Sequence, residues 1–141
     1  MIERLNSDSI YFDELEKMFP DVFTKSKVLD DLENNNFTNY FTYIVDNKPA
    51  AFINYYTMYE RGELININVD IKYQNIGIAS NLLNFMFNDC KNKYITSITL
   101  EVNIKNAKAL HLYQKYGFKQ IGIRKGYYHG TDGILMEKEL M

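Results

Sequence analysis

The sequence contains few of the residues that cross-link a small fold or break its helices and strands. Among its 141 residues there is one cysteine, Cys90, together with two prolines and no tryptophan. A single cysteine cannot form a disulfide within the chain, which excludes a secreted scaffold held together by disulfides. The formal net charge is only −2, so the chain lacks the strongly basic field that is typical of nucleic-acid-binding proteins. We therefore expect no direct nucleic-acid partner.

Long apolar segments are missing as well. No run reaches the roughly 18 apolar residues that predict a membrane-spanning helix, and residues 1–8 lack the apolar core of a secretory signal. We therefore expect a cytoplasmic protein without a membrane partner. His111 and His129 show no metal-ligand spacing with Cys90 or with a cluster of carboxylates, so the sequence predicts no metal site.

The residues that are present have the composition of a globular domain. Hydrophobic residues make up 46% and charged residues 24%, and a chain of this length can bury a core, so residues 1–141 are predicted to form a single domain. Hydrophobic periodicity predicts elements in the order β-α-α-β-β-β-α-β-α-β-β. Three successive strands followed by a β-α-β segment favour an α/β fold, with a mixed sheet and helices on both faces.

The element boundaries follow from alternating runs, capping residues and helix breakers. The predicted strands span 1–5, 41–46, 50–56, 63–70, 96–104, 119–124 and 134–139, with a hairpin turn around 47–49. A first helix is predicted to be capped within residues 6–8 and to end before Pro20, and a second to be capped by Thr24 or Ser26. The last two helices are predicted at 76–89 and 107–116, the latter capped by Asn106 and stopped by Gly117.

The strand–turn–helix junction at residues 69–80 is the first candidate site. Gly77 and Ala79 place very small side chains at the start of the helix, where backbone N–H groups and the helix dipole favour an anion. The segment matches neither the nucleotide-binding GxxxxGK[ST] loop nor GxGxxG. From the residues alone, it is either a phosphate cradle or a plain turn in which Gly77 relieves crowding.

The segment Gln74-Asn75-Ile76-Gly77-Ile78-Ala79 resembles the Q/R-x-x-G-x-G/A signature of the GCN5-related N-acetyltransferases (GNAT). It is followed at suitable spacing by LEVNIKNA at 100–107, LYQKYGF at 112–118 and IRKGYY at 123–128. This series resembles the ribosomal-protein-alanine N-acetyltransferases within that family. Ser80 departs from the pattern, since a basic residue is common there. The resemblance implies the GNAT fold, with a mostly antiparallel mixed sheet.

The resemblance implies that acetyl-coenzyme A is the donor. It would lie in a split between the strand that ends at Val69 and the strand that bears Glu101, with the Val69 N–H donating to the thioester oxygen. The residues implied to hold the coenzyme are Ile67, Asn68 and Val69 along the pantetheine arm, the backbone of Asn75, Ile76, Gly77, Ile78, Ala79 and Ser80 at the pyrophosphate, and Asn106 further along.

The resemblance also assigns the chemistry. It implies that Glu101 is the base, acting through a water, and that Tyr113 is the acid that protonates the leaving thiolate. Without the family resemblance, the alternative interpretation is that Glu101 is a solvated strand residue and that Tyr113 is a packing residue. Tyr127 and Tyr128 either line a peptide groove or pack as strand residues. Transfer would pass directly from thioester to amine, so Cys90 is expected to pack in the core.

Three functions remain open at this stage. The first is acetylation of a protein N-terminus, a ribosomal protein by resemblance; its α-amine has a pKa of about 7.7–8.0 and loses its proton more easily than a lysine at about 10.4. The second is acetylation of a small amine such as a polyamine or an aminoglycoside. The third is a coenzyme A-binding module without catalysis, against which the presence of both Glu101 and Tyr113 argues.

Overall fold

The structure, a computed structural model, describes residues 1–140. These residues form seven strands and four α-helices in the order that the sequence predicts, with one added turn of 3₁₀ helix at Ile71–Tyr73. The strands are β1 (Ile2–Arg4), β2 (Thr38–Val45), β3 (Lys48–Met58), β4 (Arg61–Val69), β5 (Ser97–Asn103), β6 (Lys119–Tyr128) and β7 (Thr131–Glu139). The helices are α1 (Phe12–Met18), α2 (Lys25–Asn34), α3 (Ile78–Asn92) and α4 (Ala107–Lys115).

All seven strands of the described chain form one sheet with the order β1-β2-β3-β4-β5-β7-β6. Within residues 1–140, β4 and β5 are the one parallel pair, and they are in register only at Arg61–Glu63 against Ser97–Thr99. Beyond that point β4 runs on to Val69 and β5 to Asn103 without pairing to each other. The sheet therefore opens into a V-shaped split at its centre, as the family resemblance implies.

Helices cover both faces of the sheet, which confirms the predicted layers. Leu82, Leu83 and Met86 of α3 are fully buried against the sheet in the larger core cluster, to which α4 also contributes. On the other face, Leu15 of α1 and Val28 of α2 pack in a second, aromatic-rich cluster. No helix within residues 1–140 has the length and the apolar character needed to cross a membrane.

Some predicted boundaries are wrong by a few residues. The first helix begins at Phe12 after Tyr11, because the Asn6 side chain accepts instead from the Asp8 N–H at 2.9 Å and closes a local turn. The turn between β2 and β3 is formed by Asp46 and Asn47, whose φ angles of 50° and 64° are those of a tight hairpin. Pro49 consequently lies within β3 rather than in the turn.

The start of the third helix is also later than predicted. It begins at Ile78, because Gly77 adopts φ +91° and separates the helix from the preceding turn. Ile76 therefore lies outside the helix with 67% of its surface exposed. Asn106 caps α4 as predicted, and its side-chain oxygen Oδ1 accepts from the Ala109 N–H at 3.1 Å. Gly117 follows α4 with φ +94°, the predicted left-handed stop.

Candidate active site

A cleft of about 650 Å³ lies where β4 and β5 part. Its walls are the end of β4, the loop that leads into α3, the first turn of α3 and one side of α4. The predicted cofactor residues Ile67, Asn68, Val69, Asn75, Gly77, Ile78, Ala79, Ser80 and Asn106 all line it. Ile76 is outside the set of lining residues that the structure describes, and its side chain is exposed.

The exposed edge of β4 faces the cleft with unpaired backbone groups. The Asp70 N–H donates to the Ala50 carbonyl of β3 at 2.8 Å, and successive N–H groups of a strand point to opposite edges. The Val69 N–H therefore points away from β3 and into the split. The Val69 carbonyl points the same way, since it accepts from the Gln74 side-chain amide at 3.1 Å.

Gly77 forms an open cradle at the start of α3. A Cβ built on Gly77 would meet no atom of the described chain within 4 Å, so the glycine is needed for its φ of +91° and not for packing space. The first N–H groups of any helix lack partners within the helix. The residues at the start of α3 line the cleft, so their N–H groups are suited to binding an anion there.

Tyr113 reaches the cleft from α4. Its side chain is only 8% exposed and packs edge-on against Phe118, with the ring centroids 5.8 Å apart. Burial, with a smaller contribution from nearby Tyr128, raises the pKa of the Tyr113 phenol to about 12. The phenol is consequently protonated at neutral pH and can donate a hydrogen bond into the cleft.

Glu101 lies on the other face of the split. Its neighbours Leu100 and Val102 are buried in the core cluster that α3 covers, so the side chain of Glu101 projects from the opposite face of β5. It is 19% exposed and pairs with Arg124, with Oε1 at 3.4 Å from Nη2. Its Oε2 is buried and has no hydrogen-bond partner among residues 1–140.

Tyr127 and Tyr128 lie beside Glu101 on the hairpin of β6 and β7. Their rings meet edge to face with centroids 5.0 Å apart, and Tyr127 is 53% exposed. Burial and, next in size, the negative charge of Glu101 raise the pKa of the Tyr128 phenol. Tyr128 and the Glu101 carboxylate both lie beside Gly133, where a Cβ would meet Oε2 of Glu101 at 2.7 Å and Cε2 of Tyr128 at 3.2 Å.

Cys90 is remote from this chemistry. It is fully buried in the larger core cluster, and burial raises the pKa of its thiol to about 12. A thiol with such a pKa is protonated at neutral pH and is a poor nucleophile. Cys90 thus packs in the core, as the sequence predicts.

The sequence profile of the Acetyltransferase (GNAT) family matches residues 3–118. The chain belongs to the GNAT acetyltransferase family. Membership confirms the resemblance and the fold predicted from the sequence. GNAT relatives include the [ribosomal protein bS18]-alanine N-acetyltransferase of Escherichia coli K12, 36% identical over 86 residues that cover 61% of this chain. That match spans only 58% of the length of the relative.

Two further relatives match more of the chain. An N-alpha-acetyltransferase of Saccharolobus solfataricus is 33% identical over 115 residues, covering 72% of this chain and 69% of the relative. The crystal structure of a GNAT family acetyltransferase from Elizabethkingia anophelis with acetyl-CoA bound superposes with a TM-score of 0.80. It is 26% identical and covers 99% of this chain and 97% of that one.

The GNAT cleft also contains three basic residues to which the family resemblance assigns no role. Lys108, His111 and Lys115 of α4 line it opposite the cradle. The Lys108 ammonium donates to the Gln74 side-chain oxygen at 3.1 Å, which bridges α4 to the loop before α3. The spacing i, i+3, i+7 places the three basic residues on one side of a helix. This spacing is the feature of the sequence that could have identified them. The spacing can be interpreted only with the fold, which places these three residues on the same cleft as residues 75–80, a segment without a basic residue.

Proposed function

We propose that the chain is an acetyl-CoA-dependent N-acetyltransferase whose acceptor is the α-amine of a protein N-terminus, with a ribosomal protein as the substrate class. The observation that carries this is the split between β4 and β5, whose cleft collects nine of the ten predicted cofactor residues together with Tyr113. The names of the bacterial and archaeal relatives support the α-amine as acceptor. Residues 1–141 would act as one domain in the cytoplasm.

The coenzyme would lie along the exposed edge of β4. Its pantetheine amides pair with the backbone of Ile67–Val69, as a further strand would, and its pyrophosphate receives the N–H groups at the start of α3. The Val69 N–H, which points into the split, donates to the thioester oxygen. That bond strengthens as the oxygen becomes an oxyanion in the transition state.

The acceptor approaches from the face that carries Glu101. An α-ammonium must lose a proton before it can attack, and Glu101 accepts that proton through a water. The amine nitrogen then bonds to the thioester carbon to give a tetrahedral intermediate. The carbon–sulfur bond breaks, the electron pair leaves with the sulfur of coenzyme A, and the second amine proton is lost as the amide forms.

Tyr113 faces the sulfur as it leaves. The cleft that raises the pKa of the phenol to about 12 disfavours a buried thiolate for the same reason, namely the loss of solvation of an anion. A hydrogen bond from the phenol therefore stabilises the thiolate as it forms, and the proton can follow.

Replacing Tyr113 with phenylalanine is expected to lower kcat by about 10²-fold, the usual size of one acid–base contribution. The aromatic packing on Phe118 is kept, so the affinity for acetyl-CoA and the melting temperature should change little. Steady-state kinetics at saturating acetyl-CoA check this, with Tyr116→Phe, directly after the same helix, as the control. A Tyr113→Phe enzyme that turns over at the wild-type rate leaves no role for the phenol.

The basic side of α4 is expected to hold the phosphates of the coenzyme. Because the cradle at residues 75–80 has no positive side chain, a Lys108→Gln/Lys115→Gln double variant should bind acetyl-CoA about 10-fold more weakly at low salt, and the difference should shrink as salt screens the charges. Calorimetry at two ionic strengths measures this. A Lys91→Gln/Lys119→Gln variant matches the change in net charge outside the cleft. Equal affinities of the wild type and both double variants for acetyl-CoA would contradict the proposal that the basic side of α4 binds the phosphates.

The proposed function is tested by release of coenzyme A from acetyl-CoA in the presence of four acceptors. These are a peptide with a free N-terminal alanine, the same peptide blocked at its α-amine, spermidine and an aminoglycoside. We expect turnover with the free peptide only. Turnover confined to the small amines would assign the site to small-molecule acetylation, and binding of acetyl-CoA without any turnover would make the chain a non-catalytic module.

A further inference from the structure

Arg124 and Glu101 form an ion pair that crosses the strand between them. Arg124 of β6 is paired in register with Gly133 of β7, while Glu101 of β5 is opposite Leu135 of the same strand. The guanidinium reaches diagonally over Gly133 to Glu101, with Nη2 at 3.4 Å from Oε1. A Cβ on Gly133 would lie 2.7 Å from Oε2 of Glu101. The carboxylate thus occupies the space that a side chain at this position would take.

The other side of the Arg124 guanidinium is held by an aromatic ring. Its Cζ lies 4.5 Å from the centroid of the Tyr127 ring, at cation–π distance. The register of β6 against β7 is irregular between Arg124 and Tyr128, and the Asp132 carboxylate accepts from the Gly126 N–H at 2.9 Å within that irregular segment. The side chain of Arg124 is 52% exposed, yet two groups fix the position of its charge.

The two oxygens of Glu101 therefore have different surroundings. Oε1 faces the guanidinium, whereas Oε2 is buried against Gly133 and the Tyr128 ring without a hydrogen-bond partner among residues 1–140. A buried polar atom without a partner is costly, and such atoms concentrate where a ligand or a water completes the site. Glutamate also has several rotatable bonds, so an unrestrained carboxylate would sample other positions.

We infer that Arg124 is a positioning residue for acetyl transfer. By binding Oε1 it fixes the orientation of the carboxylate that receives the acceptor proton through a water. Arginine suits the role because it stays charged at any working pH and its planar fork restricts the partner's orientation. The inference rests on the proposed function, in which Glu101 is the base, and gives Arg124 no contact with coenzyme or acceptor.

A double-mutant cycle tests this inference, because a residue that acts through Glu101 has no effect once the carboxylate is gone. Arg124→Gln in the otherwise wild-type enzyme is expected to lower kcat at least about 10-fold, as expected for a displaced catalytic group. In a Glu101→Gln background the same change should have no further effect on kcat. The affinity for acetyl-CoA, measured by calorimetry, should stay within about two-fold of wild type in all variants and reports that each is folded. Lys125→Gln, which removes one positive charge from the adjacent residue, is the control.

The outcomes separate this inference from the proposed function. Equal losses from Arg124→Gln with and without Glu101 would overturn the inference, because Arg124 would then act independently of the carboxylate. A wild-type rate for Arg124→Gln alongside a slow Glu101→Gln enzyme would also overturn it, while leaving Glu101 as the base. A wild-type rate for Glu101→Gln itself would overturn both, because it would remove the base from the proposed function and with it the group that Arg124 is inferred to position.

Discussion

The Glu101→Gln enzyme is expected to show a kcat about 10³-fold below wild type, within the usual range for loss of a general base. Glutamine keeps the size and shape of the side chain but cannot accept a proton at the amide oxygen to the same extent. Glu101 is not among the residues that line the cleft proposed to hold the coenzyme, so acetyl-CoA should bind with unchanged affinity. Stopped-flow or steady-state assays at saturating acetyl-CoA and peptide measure the effect.

The residual rate of the Glu101→Gln enzyme is also expected to depend on pH in a characteristic way. Without a base only the neutral fraction of the acceptor reacts, and an α-amine has a pKa of about 7.7–8.0. The residual rate should therefore rise as the pH increases through about 8 and then level off. Glu139→Gln, at an exposed position near the end of β7, is the matched control. A Glu101→Gln enzyme as fast as this control would contradict the assignment of Glu101.

The Gly77→Glu protein is expected to show no measurable binding of acetyl-CoA. A side chain at this position enters the open space in front of the α3 N-terminus, where the pyrophosphate is proposed to bind. A carboxylate there blocks the cradle and repels the phosphates. The fold should survive, because a Cβ meets no atom within 4 Å in the described chain and a negative charge is favourable at a helix N-terminus.

The Gly77→Ala variant separates the effect of the charge and size of the glutamate side chain from the effect of replacing glycine at a positive φ. Both variants must adopt the φ of +91° that glycine accepts readily, at a cost of roughly 1–2 kcal/mol in stability. The alanine protein should therefore melt earlier than wild type but still bind acetyl-CoA. Calorimetric titration and thermal melts distinguish the two effects. If Gly77→Glu binds acetyl-CoA as tightly as the alanine variant, the pyrophosphate does not occupy the cradle.

Most of the fold could be predicted because its signals are local. The alternation of Leu100 and Val102 with Glu101, the cap at Asn106 and the left-handed stop at Gly117 each depend on a few neighbouring residues. The start of α1 could not, because the Asn6 side chain closes a turn that competes with capping. Ile76 fits the apolar period of α3, but Gly77 takes it out of the helix.

The candidate site also has parts that local sequence predicts and parts that depend on the fold. Residues 75–80 are contiguous in sequence, so the motif alone marks a segment that, apart from Ile76, lines the cleft. The ion pair of Arg124 with Glu101 depends on a sheet order in which β7 lies between β5 and β6, and nothing local to either residue indicates it. The basic side of α4 is visible in the sequence as a spacing, but only the fold shows that Lys108 faces Gln74 across the cleft.

The most direct test of the central claim is the position of the acetyl group on a peptide that offers two amines. The peptide carries a free N-terminal alanine and an internal lysine, and it is incubated with the enzyme and acetyl-CoA before fragmentation in a mass spectrometer. The proposed function predicts one added acetyl group, located on the α-amine and absent when Glu101→Gln replaces the wild-type enzyme. Acetylation of the lysine side chain, or no acetylation of either amine, would contradict it.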